Sequence, residues 1–239
     1  MLKVDLHMHS KEDKADSFIK YDVFELIDKA VELKFDAIAI THHSAYFYPK
    51  KVVNYAKKKN LLLIPGTELK VESSDVLIYN ISRREFDILF KVKENFNEFY
   101  KKIKVMKKKN KRIFVMAPHP FFILISCLGN KLIKYSDMFD AVEYSWFYSN
   151  LINLNNKGVR IAKQLNLPIF ANSDAHLIEL FGKNYTLVDS KECTSYSIFH
   201  SIKKNKIKII TKPVNMVKMF YYGFKMITLG LLFQMFKKH

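Results

Sequence analysis

Leu2-Lys-Val-Asp-Leu6 is a short apolar run that leads straight into His7-Met-His9. Neutral imidazole nitrogens bind borderline divalent metals, and a His-x-His step at a strand end can aim both rings at one ion. The arrangement recurs along the chain. Phe35-Asp-Ala-Ile-Ala-Ile40 precedes Thr41-His42-His43, and Leu61-Leu-Leu-Ile64 precedes Pro65-Gly-Thr-Glu68. Ile113-Phe-Val-Met116 precedes Pro118-His119-Pro120, and Pro168-Ile-Phe-Ala171 precedes Asp174-Ala-His176. Six of the eight histidines fall in these motifs, so each apolar run reads as a buried strand delivering polar side chains at its C-terminal end.

Helix-length amphipathic stretches lie between the strands, among them Asp22 to Leu33, Pro49 to Lys59 and Asn153 to Leu165. Such alternation implies a parallel sheet. In a closed barrel of these units the C-terminal rim gathers functional side chains, so ligands distant in sequence can meet in one pocket.

Five motifs carry a family resemblance: Val4-Asp-Leu-His-Met-His-Ser10, Ala37-Ile-Ala-Ile-Thr-His-His43, Pro65-Gly-Thr-Glu68, Ala117-Pro-His-Pro120 and Asn172-Ser-Asp-Ala-His176. In this order and spacing the chain, from Met1 to about Lys212, resembles the PHP (polymerase and histidinol phosphatase) family of metal-dependent phosphoesterases. The resemblance implies a distorted (β/α)7 barrel of PHP type with two or three divalent ions, zinc, manganese or iron, at its rim. It places His7, His9, Glu68 and Asp174 around one ion, with Glu68 bridging to a second held by His119. The third would take His43 and His176.

Two positions depart from the family pattern. Where the family often has a histidine at the start of the strand after the glutamate, this chain has Asp75 in Ser74-Asp-Val-Leu-Ile78, and a carboxylate can still bind metal there. The middle motif usually reads Thr-Asp-His, so His43 matches the ligand while His42 replaces the aspartate, as an outer-sphere residue or a packed one. The family completes the third ion with a His or Asp a few residues past the first motif. Glu12, Asp13 and Asp16 stand there, and spacing favours Asp16.

Clustered dications lower the pKa of bound water, orient a phosphoryl group and neutralise transition-state charge. The leading expectation is therefore hydrolysis of a small phosphomonoester, nucleotide-like or histidinol-phosphate-like, by a metal-bound hydroxide. Glu68, Asp174 and His176 are the expected catalytic positions, with Asp174 or a rim histidine passing a proton to the leaving oxygen. A nuclease acting on single-stranded nucleic acid with the same metals is the second reading, and it needs an open groove from the rim to a basic surface. A non-catalytic metal-binding module is the third, although it gives no chemical reason to keep this ligand set. Phe121 to Asp137, directly after His119, is a candidate lid. Glu143, ending Phe139-Asp-Ala-Val-Glu143, sits where a strand would deliver a side chain to the rim, whereas His200 and His239 lie outside every motif and read as surface residues.

A chain of 239 residues suits one barrel domain, 1–212, with an appended segment, 213–239. Two distant cysteines, Cys127 and Cys193, and a start unlike a signal peptide point to a reducing, cytoplasmic setting. The net charge of +17 attracts polyanions, and it is concentrated in Lys101-Lys-Ile-Lys-Val-Met-Lys-Lys-Lys-Asn-Lys-Arg112. That run is lysine-rich and carries no interleaved stacking aromatics, so a solvated helix face is the default reading, with nucleic acid as the alternative partner.

The final stretch, Asn215 to His239, is apolar and ends in basic residues. Its longest uncharged run, Met226 to Phe236, is too short to cross a bilayer. An apolar helix is expected here, packed on the barrel or on a second subunit of a homo-oligomer. The alternative places it in a membrane interface with Lys218 and Lys225 on one face.

Overall fold

The computed structural model describes residues 1–16, 18–122 and 126–225. β1 (Leu2–Asp5), β2 (Ala37–Ile40) and β3 (Leu62–Val71) run parallel, joined by α1 (Val23–Glu32) and α2 (Lys50–Lys58). α1 begins where it does because the Asp22 carboxylate accepts from the amides of Phe24 and Glu25 while Glu25 reaches back to the cap amide. The helix then buries Leu26, Ile27 and Ala30 against Ile38, Ile40 and Leu63 on the outside of the sheet.

The sheet is mixed, which corrects the expectation of a parallel one. β4 (Ser74–Tyr79) runs antiparallel to β3 and also to β5 (Phe114–Ala117). Only a tight turn with Glu72 at φ 54° separates β3 from β4, and a parallel crossover needs about a dozen residues. β6 (Ala141–Tyr144) and β7 (Ile169–Ala171) return to the parallel direction, with α6 (Asn156–Gln164) between them. β8 (Tyr185–Val188) then pairs antiparallel with β1, and β9 (Ile207–Ile210) with β8. The strand order is β7-β6-β5-β4-β3-β2-β1-β8-β9. The expected seven strands thus form the wall in chain order, and β8 and β9 extend it past β1, making a nearly closed barrel.

Closure is made largely by side chains, with one backbone bridge between Met8 and Ala175. The Thr186 hydroxyl of β8 accepts from the Ala171 amide at 2.9 Å and donates to the Ala171 carbonyl at 3.0 Å, tying β8 to β7 where no ladder exists. Nearer the rim, the Asn172 amide oxygen accepts from Leu6 N at 2.8 Å, Asp5 accepts from Ser173 N at 3.2 Å, and the His9 amide donates to the Ala175 carbonyl.

Val4, Leu6, Ala39, Ile64, Leu77, Tyr79, Phe114, Met116 and Phe170 fill the barrel, and α7 (Ser195–Lys203) plugs its lower end with Ile198, Phe199 and Ile202. The Phe199 ring stacks on Phe114 at 4.3 Å. Gly66 explains one step of the Pro65-Gly-Thr-Glu68 motif, because a Cβ there would lie 2.9 Å from the Tyr79 ring. α3 (Arg83–Phe90), α4 (Phe96–Lys109) and α5 (Asn130–Lys134) cover the face of β3 to β6. Leu132 and Tyr135 are buried in that layer, so they anchor the later part of the expected lid in the core, and residues 123–125 of it lie outside the described residues. Residues 216–225 form a further helix, α8, while the rest of the expected C-terminal helix lies outside the described residues. Among the described residues, no helix is long and apolar enough to cross a membrane.

Candidate metal centre

Strand ends and the loops after them bring the chain's acidic and imidazole groups together at the rim. His7 and His9 follow β1, His43 follows β2, His119 follows β5, and Asp174 and His176 follow β7. Glu68 lies within the long strand β3 and not past its end, and Asp75 lies at the start of β4. His43 and Glu68 form a parallel bridge, with Ser44 N donating to the Glu68 carbonyl at 2.7 Å. Asp174 and His119 adopt φ of 46° and 24°, a left-handed backbone that costs non-glycine residues on the order of 1–3 kcal/mol and clusters at functional sites.

Three groups of side chains could each hold an ion: His7, His9 and Glu68; Glu68, Asp75 and His119; and His9, Asp16, His43 and His176. Glu68 joins the first two groups. Its Oε2 lies 3.2 Å from His7 Nε2, 3.4 Å from His9 Nε2 and 3.2 Å from His43 Nε2, while Oε1 lies 3.3 Å from His119 Nε2. Asp174 Oδ1 stands 3.4 Å from His7 Nε2 and from His176 Nδ1, against the first group and the third. All nine sequence-expected positions therefore meet at one rim, and His9 touches the third group as well as the first.

The donor set fits metal better than it fits hydrogen bonding. Asp16 Oδ2 sits 2.9 Å from His43 Nδ1, 3.1 Å from His176 Nε2 and 3.6 Å from His9 Nδ1, yet it is buried without a hydrogen-bond partner, and so is His9 Nε2. Polar atoms this close that do not align as donor and acceptor have lone pairs converging on a common point. Electrostatics agrees. Burial, together with repulsion from Glu68, pushes the Asp75 carboxyl up to about 7, as expected of two buried carboxylates sharing a place for a cation. Burial also drives His9 down to about 3, helped by His176 and His43, whose rings stack on it at 4.2 and 4.4 Å. For His7 burial acts downward, but Glu143, Glu68 and Asp174 outweigh it and hold the ring well above its ordinary value.

Two carboxylates orient the rings without joining the ligand groups. Glu143 Oε1 lies 2.7 Å from His7 Nδ1, which turns Nε2 towards Glu68, and its Oε2 accepts from the His119 amide at 2.9 Å. Asn172 Nδ2 holds the same Glu143 Oε1 at 2.9 Å. Asp13 does more. Its Oδ2 lies 3.1 Å from His9 Nδ1 and 3.0 Å from His43 Nδ1, and accepts from His43 N at 2.7 Å, so one buried oxygen sets two rings from different loops. Sequence reasoning offered Asp13 only as an alternative to Asp16. The signal for it was its place four residues after His9. Glu12 is used otherwise, accepting from Val23 N at the start of α1, and His42 is packed on Phe47 with Nε2 2.8 Å from Ser10 Oγ.

The PHP domain model matches residues 5–142, and a second model, PHP-associated, matches 153–207. No curated protein matches the chain in sequence. Among solved structures, a Bacteroides vulgatus two-domain protein containing a predicted PHP-like metal-dependent phosphoesterase aligns with TM-score 0.62 and 18% identity over 88% of this chain. The chain spans 64% of that protein's length. PsfC from Pseudomonas syringae aligns with TM-score 0.60 and 15% identity over 99% of this chain and 98% of its own. The lesion-specific endonuclease EndoQ of Pyrococcus furiosus aligns with TM-score 0.63 and 15% identity over 87% of this chain and 57% of its own. At such identities these are likenesses of fold. The motif order, the rim that gathers them and a domain model covering more than half of the sequence lead to one conclusion: the chain belongs to the PHP domain family.

Proposed function

We propose that the chain is a metal-dependent phosphoesterase that hydrolyses a small phosphomonoester. The observation that carries this reading is the buried ligand set joined through Glu68, with orphaned His9 Nε2 and Asp16 Oδ2 inside it. His7, His9, Glu68 and Asp174 would hold one ion, Glu68, Asp75 and His119 a second, and His43, His176 and Asp16 a third. Bound dications supply a nucleophilic water at neutral pH and neutralise charge on the phosphoryl group.

The chain's own groups do the rest. Glu143 and Asp13 fix which nitrogen of His7, His9 and His43 faces the centre. Asp174 stands at the rim between His7 and His176, where burial raises its carboxyl above the ordinary range against the pull of those histidines. Asp174 or a rim histidine would hand a proton to the leaving oxygen.

A small substrate is favoured over a polynucleotide by where the lysines lie. α4 carries the basic run on the barrel's outer face, and its last turn meets the start of β6, at the end of the barrel away from the rim. There Lys107 is tied to the Met138 carbonyl and to Asp140, each at 2.7 Å, and Lys104 pairs with Asp137. Lys101, Lys104 and Lys107 of the run are paired with carboxylates, and the helix leads away from the rim, which supports a small substrate over a polynucleotide.

The test is phosphate release from a panel of phosphomonoesters beside cleavage of single-stranded oligonucleotides, with manganese added and Glu68→Ala as control. Monoester turnover that falls by about a thousandfold or more in the variant is expected, since the bridging ligand of two ions is lost. Oligonucleotide cleavage without monoester turnover would make the nuclease the correct reading. Silence on both substrates with metal bound would leave the non-catalytic module.

A further inference from the structure

α8 is apolar on two faces, whereas an ordinary surface helix has one. Its inner face, Met219 and Tyr222 with Val214 just before the helix, is buried against Trp146, Leu177 and Leu180. Val214 N donates to the Tyr148 carbonyl at 2.9 Å, and Gly223 lets the helix approach the Phe147 ring, which a Cβ would meet at 3.2 Å. The described part of the segment, up to residue 225, packs on the barrel on this side. The outer face is a second stripe at the i, i+3, i+4, i+7 positions: Val217, Phe220, Tyr221 and Phe224 are 75, 56, 57 and 69% exposed.

The exposed part of these four side chains amounts to roughly 500 Å², the size of the largest, often functional, apolar patch of an ordinary monomer and short of the ~800 Å² per partner of a stable dimer. Lysines border it. Lys218 is exposed on the helix, and Lys225, which closes the described turn, has its ammonium 6.0 Å from the Tyr221 ring. An apolar stripe bordered by lysines, on a chain of net charge +17, matches the boundary of an anionic bilayer, where rings enter the acyl region and ammonium groups meet phosphates. We propose that the outer face of α8 seats the protein on an anionic membrane surface, lying in the interface without crossing it.

Sedimentation of the full-length chain with phosphatidylglycerol-containing vesicles, and with phosphatidylcholine vesicles alone, tests this. The expected result is binding to the anionic vesicles that weakens with added salt and drops about tenfold or more in the double variant Phe220→Ser/Tyr221→Ser. Circular dichroism and metal uptake of the variant are expected to match the parent, because both side chains face outwards. Lys218→Glu is expected to weaken anionic binding without changing the fold. Three outcomes overturn the proposal: no vesicle binding, binding that the double variant leaves intact, or a parent that is dimeric by light scattering and made monomeric by the same substitutions without vesicle binding.

Discussion

Asp13 shows how much a single carboxylate oxygen can decide. With Oδ2 facing the Nδ1 atoms of both His9 and His43, it orients both rings so that their Nε2 atoms turn towards Glu68. Asp13→Asn retains the shape but puts a weaker acceptor, or an NH₂ group, where two ring donors need an acceptor. Affinity for manganese or zinc is expected to fall about 10–100-fold by calorimetric titration, with the circular dichroism spectrum unchanged. Unaltered affinity would make Asp13 a structural residue only. Glu143→Gln tests the same logic at His7, where the contact is shorter. The residues that gather at the rim were legible in the sequence because imidazoles and carboxylates stood at strand ends. Of the carboxylates that orient the rings, Glu143 was legible as a strand-end position, whereas Asp13 stood only as an alternative to Asp16, since its carboxylate becomes distinguishable from a solvated one only once distant loops close over it.

At the scale of elements, the strands of the parallel half could be read from their apolar runs. The reversal at β4 was less visible, because Ser74 to Ile78 was apolar enough to be a strand while its direction depended on the shortness of the turn before it. β8 and β9 escaped notice as closing strands because they carry no rim residue and alternate only loosely. Their importance rests on Thr186. Thr186→Val preserves volume but removes the hydroxyl, leaving the Ala171 amide and carbonyl buried and unmet. Urea denaturation is expected to show a loss of about 1–3 kcal/mol per group stranded in this way. A loss within a few tenths of a kcal/mol would mean that water or a backbone shift restores the bonds.

At the scale of the whole molecule, metal and protons compete for the same rim. In the metal-free chain burial acts to lower His119, but Glu68, with Asp174 and Glu143 behind it, raises it to about 9, and His7, His43 and His176 are raised as well. Raised histidines stabilise the metal-free fold fully below the unfolded value of about 6.5, and that contribution is lost as pH rises through the folded value. Stability without metal should therefore decline from pH 6.5 to 9, while affinity for metal climbs over the same interval because ligands must shed protons to bind. Thermal melts with chelator across that range, and proton release on adding zinc at pH 7 in weak buffer, check the two halves. Absence of proton release would show that the rim histidines are already neutral. The barrel's closing seam runs between these ligands, with His7 and His9 on the β1 side and Asp174 and His176 on the β7 side. Any ion held by both pairs is thus a clasp on a hoop, and fastening it tightens the molecule at the seam where a single backbone bridge, Met8 to Ala175, is otherwise supported by side chains among the described residues.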